Sequence, residues 1–567
     1  MKVIRIRRKE CISVCSLIIC VVFTLYVYEN SKRSLLAYDM DFKLSENTRK
    51  CQDNRDSVSR RQGTLGFRSD IVLGDVKNDA DYLKNKENST LFGVNMFLSD
   101  IIGFRRRLDD IRPEQCKETS YIKDLPVVSI VVIFRDEPLS TLLRTVYGIL
   151  DTCPDHLLEE IVLVDDGSVM KDTIIGVKIH VANLHKVKMI RSEKSMGLMN
   201  ARHRRISEIV SDHFIVLDAH VEFIVGWLEP ILYRLKQEPK ALLTSDIAQI
   251  DKETFEIHHG PFDKAFLCFE QVSLNEQFAH YSDEYLRKRK GKVDPIEICI
   301  FRGMMMAMNK HFYFQLGGFD TGMEVWGMEH IEMSVKVWLC GGRVELVPCS
   351  IVAHLFRITP WQTVEKTNTY VFKNKLRFAE VWMDGSAKKL MIDSLSKGHP
   401  TIDSGDLTKR KEIRDQNKCQ SYSFFVQKVK SLTDGIYFPE KPQRYGRIIN
   451  KAKQKCLDVA YSQEVSLILY QCHQLDNQNF LMTNDGRIKN ILSWLKVGND
   501  SKQIVVDKDA QFWWRDSEYV WRVTEKGAIQ HVNTAMCLVV GDENNVVLAT
   551  CNEKSGQQWE WEKFSIS

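Results

Sequence analysis

The stretch His213-Phe214-Ile215-Val216-Leu217-Asp218-Ala219-His220 decides the fold class of this chain, because it has the pattern of a buried strand that ends in a carboxylate and an imidazole. Residues two apart in a strand face the same side, so Asp218 and His220 can converge on one divalent ion. Residues 160–168 repeat the design, with an apolar run that ends in two aspartates. Ligands of open α/β sheets bind beyond the carboxyl ends of such strands. Two acidic strand ends therefore indicate a site for a metal ion and a nucleotide, although either end alone is equally typical of a capped turn.

Length and charge bound the class of protein. A chain of 567 residues exceeds what one hydrophobic core usually holds, which predicts two or three domains. The formal net charge of +4 is nearly balanced. We therefore expect no nucleic-acid partner, since such partners select strongly basic surfaces.

An uncharged, mostly apolar run from Cys11 to Tyr28 follows a basic amino terminus. Its length is at the short end of a membrane span, which suits the thinner membranes of the early secretory pathway. The basic excess before the run predicts a cytoplasmic tail at residues 1–10 and a lumenal body after the span. A cleaved signal peptide is the alternative, but residues 27–30 offer no small-residue cleavage site. We therefore predict an uncleaved transmembrane signal anchor at residues 11–28.

The cysteines and glycosylation signals agree with a lumenal body. The chain has 15 cysteines, which in that compartment are expected to pair as disulfides. Asn88 and Asn499 each begin an Asn-x-Ser/Thr acceptor sequence. Such short sequences also occur by chance, so they support the topology only weakly.

The pattern after the predicted anchor changes twice. Residues 29–111 are polar and lack sustained periodicity, so we interpret them as a stem with some order towards its end. From about residue 125 to about Asp384, strand-like runs alternate with helical ones, which indicates a mostly parallel sheet. We assign this α/β domain to residues 112–437.

Residues 438–567 have short strand-like runs, turn signals and no long helical pattern. The runs that begin at Cys456, Ser493 and Cys537 recur at intervals of about forty residues, and an aromatic residue stands near the end of each repeat. Three such units predict an all-β domain with threefold internal repetition.

Several segments in one order carry a family resemblance: residues 140–146, 226–230, 325–329, 338–342, 354–357 and 379–384. Together they resemble polypeptide N-acetylgalactosaminyltransferases. The resemblance implies a Golgi type II membrane enzyme with a GT-A nucleotide-sugar-binding catalytic domain followed by a ricin-like β-trefoil lectin domain. It also implies transfer of GalNAc from UDP-GalNAc to Ser or Thr hydroxyls of polypeptide or glycopeptide acceptors, the initiating step of mucin-type O-glycosylation, with retained anomeric configuration and Mn²⁺ as cofactor.

The resemblance also implies site residues. Asp218, His220 and His354 match the metal ligands, and such an ion would bind diphosphate oxygens and neutralise charge on the departing UDP. Trp326 and Glu329 match the segment beside the sugar and the acceptor. The matched donor-binding residues are Asp166, Arg202, Gly303 and Arg357.

Each assignment has a structural alternative. His354 could be a surface histidine, although its place before Leu-Phe-Arg favours a ligand. Trp326 could equally be a core residue. Glu329 could stabilise the amino terminus of a following helix, and both of its roles can hold at once.

The chain departs from the family pattern around the predicted sugar pocket. Residues 302–304 read Arg-Gly-Met where relatives have Ala-Gly-Gly, so Met304 could fill part of the pocket. Met328 replaces a glycine before Glu329, Arg135-Asp136-Glu137 replaces His-Asn-Glu, Ser195 replaces a common basic residue, and residues 363–366 lack the usual Phe-Pro-Gly-Gly. A catalytically impaired lectin-bearing pseudoenzyme that binds O-glycoproteins or a partner transferase is therefore the alternative function. Transfer of a different hexose or HexNAc is a more distant one.

The resemblance finally implies disulfides and a lectin site. The implied pairs are Cys116 with Cys349, Cys340 with Cys419, Cys456 with Cys472, and Cys537 with Cys551. The middle repeat lacks both cysteines of its pair and has Trp494 at the first position. In the first repeat, the matched GalNAc-binding residues are Asp458, Tyr470, His473 and Asn477. A purely structural repeat is the alternative, and it is the favoured reading for the third repeat, where Val539 replaces the aspartate.

Overall fold

The computed structural model describes residues 89–260, 264–271, 273–357, 369–398, 402–433, 442–461, 465–473, 476–483, 485–490, 493–498, 504–507, 517–552 and 554–562. The predicted anchor, most of the predicted stem, the sequons at Asn88 and Asn499, and the predicted boundary at residues 437 and 438 lie outside them. Among the described residues, no helix is both long enough and apolar enough to cross a membrane.

The first part of the chain is an α/β domain. Its strands are β1 Val128–Phe134, β2 Leu158–Asp165, β3 Val187–Arg191, β4 His213–Asp218, β5 Val221–Phe223, β6 Ala241–Ile250, β7 Ile257–His258, β8 Ala265–Phe269, β9 Glu276–His280, β10 Ile296–Glu297, β11 Met305–Asn309 and β12 Arg343–Leu355. Its helices are α1 Met96–Ile102, α2 Glu114–Glu118, α3 Leu139–Thr152, α4 Lys171–Val181, α5 Leu198–Glu208, α6 Leu228–Gln237, α7 Asp283–Lys288, α8 Lys310–Gln315, α9 Glu329–Leu339, α10 Thr369–Trp382, α11 Gly385–Gly398, α12 Thr408–Gln416 and α13 Tyr422–Leu432.

One large sheet organises this domain, with strand order β10-β12-β6-β11-β4-β1-β2-β3. Strand β1 runs parallel to β2 and β4, and β6 runs parallel to β12. Strand β11 is antiparallel to both β4 and β6. The sheet is therefore mixed, with four parallel and five antiparallel strand pairs among the described residues. The alternating α/β pattern of the sequence is confirmed.

Alternate strand residues enter two apolar clusters, one on each face of the sheet. Val131, Val162 and Val216 belong to one cluster, whereas Val132 and Leu217 belong to the other. Burial on both faces explains why these strands are continuous apolar runs. In β2 and β4 the carboxyl-terminal residue is an aspartate that follows the apolar run.

Strand register brings those polar ends together. Ile133 of β1 pairs with Asp218 of β4, and the next residue of β1 pairs with Asp165 of β2. On the other side, His354 of β12 pairs with Val221, directly after His220. The carboxyl edge of the sheet therefore gathers the predicted metal ligands.

The described end of the predicted stem packs on the α/β domain. Val94 and Leu98 are buried. The Arg144 guanidinium of α3 donates to the carbonyl oxygens of Ser99 and Gly103 and pairs with Glu222 at 3.0 Å. The order predicted towards the end of the stem is therefore real, and this segment is part of the folded body.

The carboxy-terminal part is all-β. Its strands are β13 Arg444–Gly446, β14 Ile448–Asn450, β15 Lys455–Tyr461, β16 Val465–Tyr470, β17 Phe480–Met482, β18 Ile488–Asn490, β19 Ser493–Val497, β20 Ile504–Asp507, β21 Trp521–Val523, β22 Ile529–His531, β23 Met536–Val540, β24 Val546–Thr550 and β25 Trp559–Trp561. They form three antiparallel sheets that share one apolar core, to which each repeat contributes leucines and aromatic residues. The predicted threefold all-β domain is present.

The structure contains the four disulfides that the family resemblance implies, Cys116–Cys349, Cys340–Cys419, Cys456–Cys472 and Cys537–Cys551. It also joins Cys268 of β8 to Cys299, a pair that the sequence analysis missed. Cys299 lies four residues before Gly303, so this bridge ties the segment that leads to Gly303 to the β8–β9 hairpin.

Candidate functional site

Asp218, His220 and His354 form a compact cluster at the carboxyl edge of the sheet. One potential ligand atom from each lies within 4.8 Å of the others. His354 Nε2 is 3.5 Å from Asp218 Oδ2. Both ring nitrogens of His354 are buried and have no hydrogen-bond partner among the described residues. Since a buried imidazole without a partner is costly, this donor set fits a divalent cation that accepts oxygen and nitrogen ligands.

Electrostatics favour the metal-binding form of these side chains. Burial alone would raise the pKa of Asp218, but the neighbouring His354 side chain and the nearby Arg202 charge outweigh it and hold that pKa at about 2. Burial lowers the pKa of His354 against the opposing effect of Asp218. A carboxylate and a neutral imidazole are the states that bind metals, so the cluster is prepared for an ion near neutral pH.

Glu137, three residues after the end of β1, contacts the cluster through His220. Its Oε1 lies 3.2 Å from His220 Nδ1 and accepts a hydrogen bond from the Thr141 hydroxyl. Burial would raise its pKa, but the Arg357 charge and the neighbouring His220 side chain hold that pKa at about 2. A carboxylate beside Nδ1 orients the imidazole and leaves Nε2 for an ion. The sequence analysis missed this role, although Glu137 also follows an apolar strand that ends at this edge.

The Arg357 guanidinium forms hydrogen bonds within the protein in this structure. Its guanidinium donates to Glu137 Oε2 at 2.6 Å and to the Phe92 carbonyl oxygen at 2.7 Å. It therefore lies behind the metal cluster and joins it to the segment before α1. Its Nε is buried without a hydrogen-bond partner among the described residues.

Arg202 joins three predicted site residues. Its side chain is 2% exposed, and Nη2 donates to Asp218 Oδ1 and to the Gly303 carbonyl oxygen, both at 3.1 Å. Its Nη1 lies 3.7 Å from Glu329 Oε1. The guanidinium thus places one positive charge between the metal cluster and Glu329. Such a charge favours anionic groups at this edge of the sheet.

Glu329 is the first residue of helix α9, where its carboxylate can stabilise the amino terminus of the helix, as the sequence predicts. The same side chain faces Arg202. The side chain is buried, and Oε2 has no hydrogen-bond partner in the described part of the chain. A Cβ added to Gly303 would lie 3.6 Å from Glu329 Oε1. The glycine therefore keeps the space beside this carboxylate open.

Trp326 is only partly buried, which argues against a purely core role, and its indole N–H has no hydrogen-bond partner among the described residues. It stands in a strained turn, because Val325 has φ 54° and Met328 has φ 74°. Positive φ is rare for residues with a side chain, particularly a β-branched one, and is concentrated at functional sites.

The methionines that replace glycines are anchored in the core. Met304 is 7% exposed and packs in the same apolar cluster as Leu217, while its carbonyl oxygen accepts a hydrogen bond from the Asp218 amide. Met328 is 4% exposed and packs in the cluster on the other face. Both side chains thus contribute to packing beneath the site.

Asp166 is buried and fully engaged by a neighbouring loop. It accepts hydrogen bonds from the Ser195 hydroxyl at 2.7 Å and from the amides of Met196 and Gly197 at 2.8 and 3.1 Å. Gly197 immediately precedes α5, the helix that carries Arg202. These hydrogen bonds fix the start of that helix. One of them comes from Ser195, which stands where relatives commonly have a basic residue.

The four predicted lectin residues come together in the first repeat. Asp458 is 3% exposed, accepts from the Asn477 amide at 2.7 Å and lies 3.1 Å from His473 Nε2. Gln478, from the same Asn477-Gln478-x-Phe480 ending of the repeat, donates to the other carboxylate oxygen at 2.7 Å. Tyr470 is 55% exposed and presents its ring beside His473. A fixed polar group next to an exposed ring is typical of a sugar-binding site.

Family models match three stretches of the chain. Residues 129–312 match the model described as glycosyl transferase family 2, and residues 295–359 match the model described as N-terminal domain of galactosyltransferase. Residues 444–559 match the ricin-type beta-trefoil lectin domain.

Curated relatives align over most of the chain. Polypeptide N-acetylgalactosaminyltransferase 13 of Homo sapiens is 33% identical over 532 residues, which are 90% of this chain and 93% of the relative. Polypeptide N-acetylgalactosaminyltransferase 6 of Mus musculus is 31% identical over 487 residues, 82% of this chain and 76% of the relative. A crystal structure of GalNAc-T7 with UDP, GalNAc and Mn²⁺ matches with a TM-score of 0.69 and 25% identity, and covers 88% of this chain and 92% of that chain.

Proposed function

Because this chain belongs to the polypeptide N-acetylgalactosaminyltransferase family, as a divergent member, we propose that it transfers GalNAc from UDP-GalNAc to Ser and Thr hydroxyls of lumenal proteins. The cofactor is Mn²⁺, in keeping with the solved relative that contains UDP, GalNAc and Mn²⁺. The reaction initiates mucin-type O-glycosylation and retains the anomeric configuration of the sugar.

The observation that carries this proposal is the continuous array from the metal cluster through Arg202 to Glu329. Asp218, His220 and His354 would hold the Mn²⁺ ion, since their oxygen and unpartnered imidazole nitrogens fit it. When bound, the ion neutralises negative charge on the diphosphate of the donor.

The remaining site residues hold and orient the reactants. Arg202 contributes a fixed positive charge beside the metal cluster, which favours the diphosphate in the same place. Oε1 of Glu329 lies beside the space that Gly303 leaves open, and Oε2 of the same carboxylate has no hydrogen-bond partner among the described residues. We assign this carboxylate to hydroxyl groups of the sugar and acceptor. We also assign Trp326 to this site, because its indole N–H has no hydrogen-bond partner among the described residues and can donate to an oxygen of the donor.

Asp166 and Arg357 act on the donor mainly through other residues. Asp166 orients the loop before α5 and so the arginine that helix carries, and we place the uridine beside this loop. Arg357 orients Glu137 and through it His220. In the lectin domain we assign GalNAc on an acceptor glycopeptide to Asp458, Tyr470, His473 and Asn477.

The topology follows from the same family assignment. We propose a Golgi type II protein with a tail at residues 1–10, an anchor at 11–28, a stem at 29–111, a catalytic domain at 112–437 and a lectin domain at 438–567. Asn88 and Asn499 are the proposed N-glycosylation positions.

The pseudoenzyme remains the second candidate because of one feature, the strained turn that contains Met328 at φ 74° where the family has glycine. A side chain anchored there restrains a turn that carries both Trp326 and Glu329. If that turn cannot adapt to the acceptor, the chain would bind glycoproteins through its lectin domain without transferring sugar.

A donor and acceptor panel separates these readings. The full-length protein, purified in detergent with Mn²⁺, is given UDP-GalNAc, UDP-GlcNAc or UDP-Gal together with Ser/Thr peptides or GalNAc-glycopeptides. We expect peptide products that gain one HexNAc mass with UDP-GalNAc. Silence with every pair, while the same preparation binds immobilised GalNAc, would establish the pseudoenzyme, and transfer only from another donor would reassign the sugar.

A further inference from the structure

The middle lectin repeat differs from its neighbours. The first and third repeats each have a disulfide, whereas Trp494 stands where the first cysteine of the middle pair would be. Lys496 occupies the position that corresponds to Asp458, and its ammonium pairs with Asp507 at 2.9 Å. The middle repeat therefore lacks the acceptor carboxylate that the first repeat presents.

Trp494 instead packs against a buried lysine. It is the cross-strand partner of Lys489 in strands β18 and β19, and the ammonium lies 5.5 Å from the centroid of a Trp494 ring. Lys489 is 8% exposed. Burial lowers the pKa of Lys489, an effect that Glu270 opposes. Burying an ammonium group costs free energy unless hydrogen-bond and charge partners compensate it. The Lys489 side chain is therefore expected to keep its partners.

The Lys489 ammonium reaches out of the lectin domain and donates a hydrogen bond to the side-chain oxygen of Gln277. Gln277 is the second residue of β9, in the β8–β9 hairpin of the α/β domain. A second contact between the domains joins Ser394 and Tyr445 by a 2.9 Å hydrogen bond. The hairpin contact is the one that leads towards the predicted site.

Successive residues of a strand face opposite sides, so the neighbours of Gln277 point away from the lectin domain. Glu276 Oε1 lies 3.0 Å from His330 Nε2, and the Phe278 ring lies 5.1 Å from the Arg302 guanidinium. His330 directly follows Glu329, and Arg302 directly precedes Gly303. One short strand therefore contacts the lectin domain on one face and, on the other, the residues that adjoin Glu329 and Gly303 in the chain.

We propose that the middle repeat is a docking surface for the catalytic domain instead of a sugar site, and that Lys489 and Gln277 are positioning residues for Glu329 and Gly303 through strand β9. The effect on turnover rests on the proposed transferase function. The effect on the order of β9 and α9 does not.

The test uses the full-length protein with Lys489→Met, which keeps the length and the apolar stem beside Trp494 but removes the ammonium. Lys496→Met is the matched control, because it makes the same change in the same repeat at a lysine that pairs within the lectin domain. Gln277→Leu removes the partner from the catalytic side. Hydrogen exchange of backbone amides, followed by mass spectrometry of proteolytic fragments, reports the order of each segment without any need for catalysis.

We expect Lys489→Met and Gln277→Leu each to raise exchange in β9 and in the first turn of α9 by about tenfold, whereas Lys496→Met leaves these segments at the wild-type rate. The double variant should exchange no faster than either single variant, since both remove one contact.

In the transfer assay kcat should fall several-fold, with GalNAc binding by the first repeat retained. Wild-type exchange in both segments of Lys489→Met, or an equal rise in Lys496→Met, would overturn the docking proposal. A wild-type protein that transfers no sugar but shows the expected exchange pattern would refute the proposed function alone.

Discussion

Glu137 shows at the scale of one residue how the scaffold tunes the metal cluster. Its carboxylate lies between His220 and Arg357, and neither contact involves the ion itself. Removing its charge changes the orientation and basicity of a ligand while all three ligands remain. A substitution of Glu137 therefore tests how the scaffold affects metal binding without removing a metal ligand.

We expect Glu137→Gln to weaken Mn²⁺ binding by about 10–100-fold, the usual effect of removing a carboxylate that orients a metal-binding histidine. Mn²⁺ titration followed by electron paramagnetic resonance measures this without turnover. Thr141→Val is the control, because it removes only the hydroxyl that donates to the same carboxylate. Equal Mn²⁺ affinity in Glu137→Gln and wild type would show that Glu137 does not act on His220.

The same carboxylate predicts a pH dependence of stability. The pKa of Glu137 is about 2 in the fold against an ordinary value of 4.5, so the native state binds fewer protons than the unfolded one between these values. Its contribution is fully present above about pH 4.5 and is lost as the pH falls towards 2. Urea unfolding between pH 6 and pH 3 should therefore show a smaller loss of stability in Glu137→Gln than in the wild type. A parallel decline in both proteins would mean that this group does not titrate as described.

Met328 gives a prediction about backbone strain. Glycine adopts φ 74° without strain, whereas alanine, like any residue with a side chain, loses about 1–2 kcal/mol in this left-handed conformation. Both substitutions remove the same buried methionine packing, so their difference isolates the strain. Met328→Gly should be more stable than Met328→Ala by about 1 kcal/mol in thermal or urea unfolding. If Met328→Ala were instead more stable than Met328→Gly, this turn would not be left-handed in solution.

At the scale of elements, the sequence predicted the strand ends well because burial on both faces leaves a clear pattern. Residues 160–168 and 213–220 are apolar runs with polar ends, and register places those ends side by side. The convergence of His354 with them depends on the pairing of β12 with β5, which no local pattern reports. The ligand role of His354 can therefore be predicted only from the family resemblance.

Other contacts are invisible in the sequence because they join residues far apart in the chain. The hydrogen bonds of Asp166 with residues 195–197 and the bridge between Arg202 and Glu329 follow from packing of α5 and α9 against the sheet. Cys268 and Cys299 were missed because neither was matched to a family cysteine pair. The lost disulfide at Trp494 was recognised, but the lysine contact beside it needed the structure.

The first lectin repeat carries an element-scale prediction. Asp458→Ala removes the carboxylate that organises Asn477, Gln478 and His473, so affinity for GalNAc should fall at least about tenfold. Binding of the full-length protein to immobilised GalNAc measures it, and the ratio of glycopeptide to bare-peptide transfer should fall with it. Asp542→Ala, at an exposed aspartate in the third repeat, is the control. Undiminished GalNAc binding in Asp458→Ala would remove the first repeat as the sugar site.

At the scale of the whole molecule, the chain combines a mixed α/β sheet with a region that matches a ricin-type trefoil lectin, and it aligns with 93% of polypeptide N-acetylgalactosaminyltransferase 13. The departures from the family gather around the predicted sugar pocket, whereas the metal cluster and its support are intact. Asp218, His220 and His354 each place a potential ligand atom within 4.8 Å of the others, as binding of one ion requires. The intact cluster is therefore the strongest reason to assign catalysis to this protein.

The most direct test of that claim compares two asparagine substitutions in strand β4 and the turn before it. Asp218→Asn removes a predicted metal ligand, and Asp212→Asn changes an exposed aspartate beside the opposite end of the strand. Each full-length protein is incubated with UDP-GalNAc, Mn²⁺ and the best acceptor peptide, and product is counted by mass spectrometry. We predict HexNAc transfer by the wild type and Asp212→Asn, and loss of at least about a thousandfold in Asp218→Asn. Equal transfer by Asp218→Asn and Asp212→Asn would contradict the assignment of this cluster as the catalytic metal site.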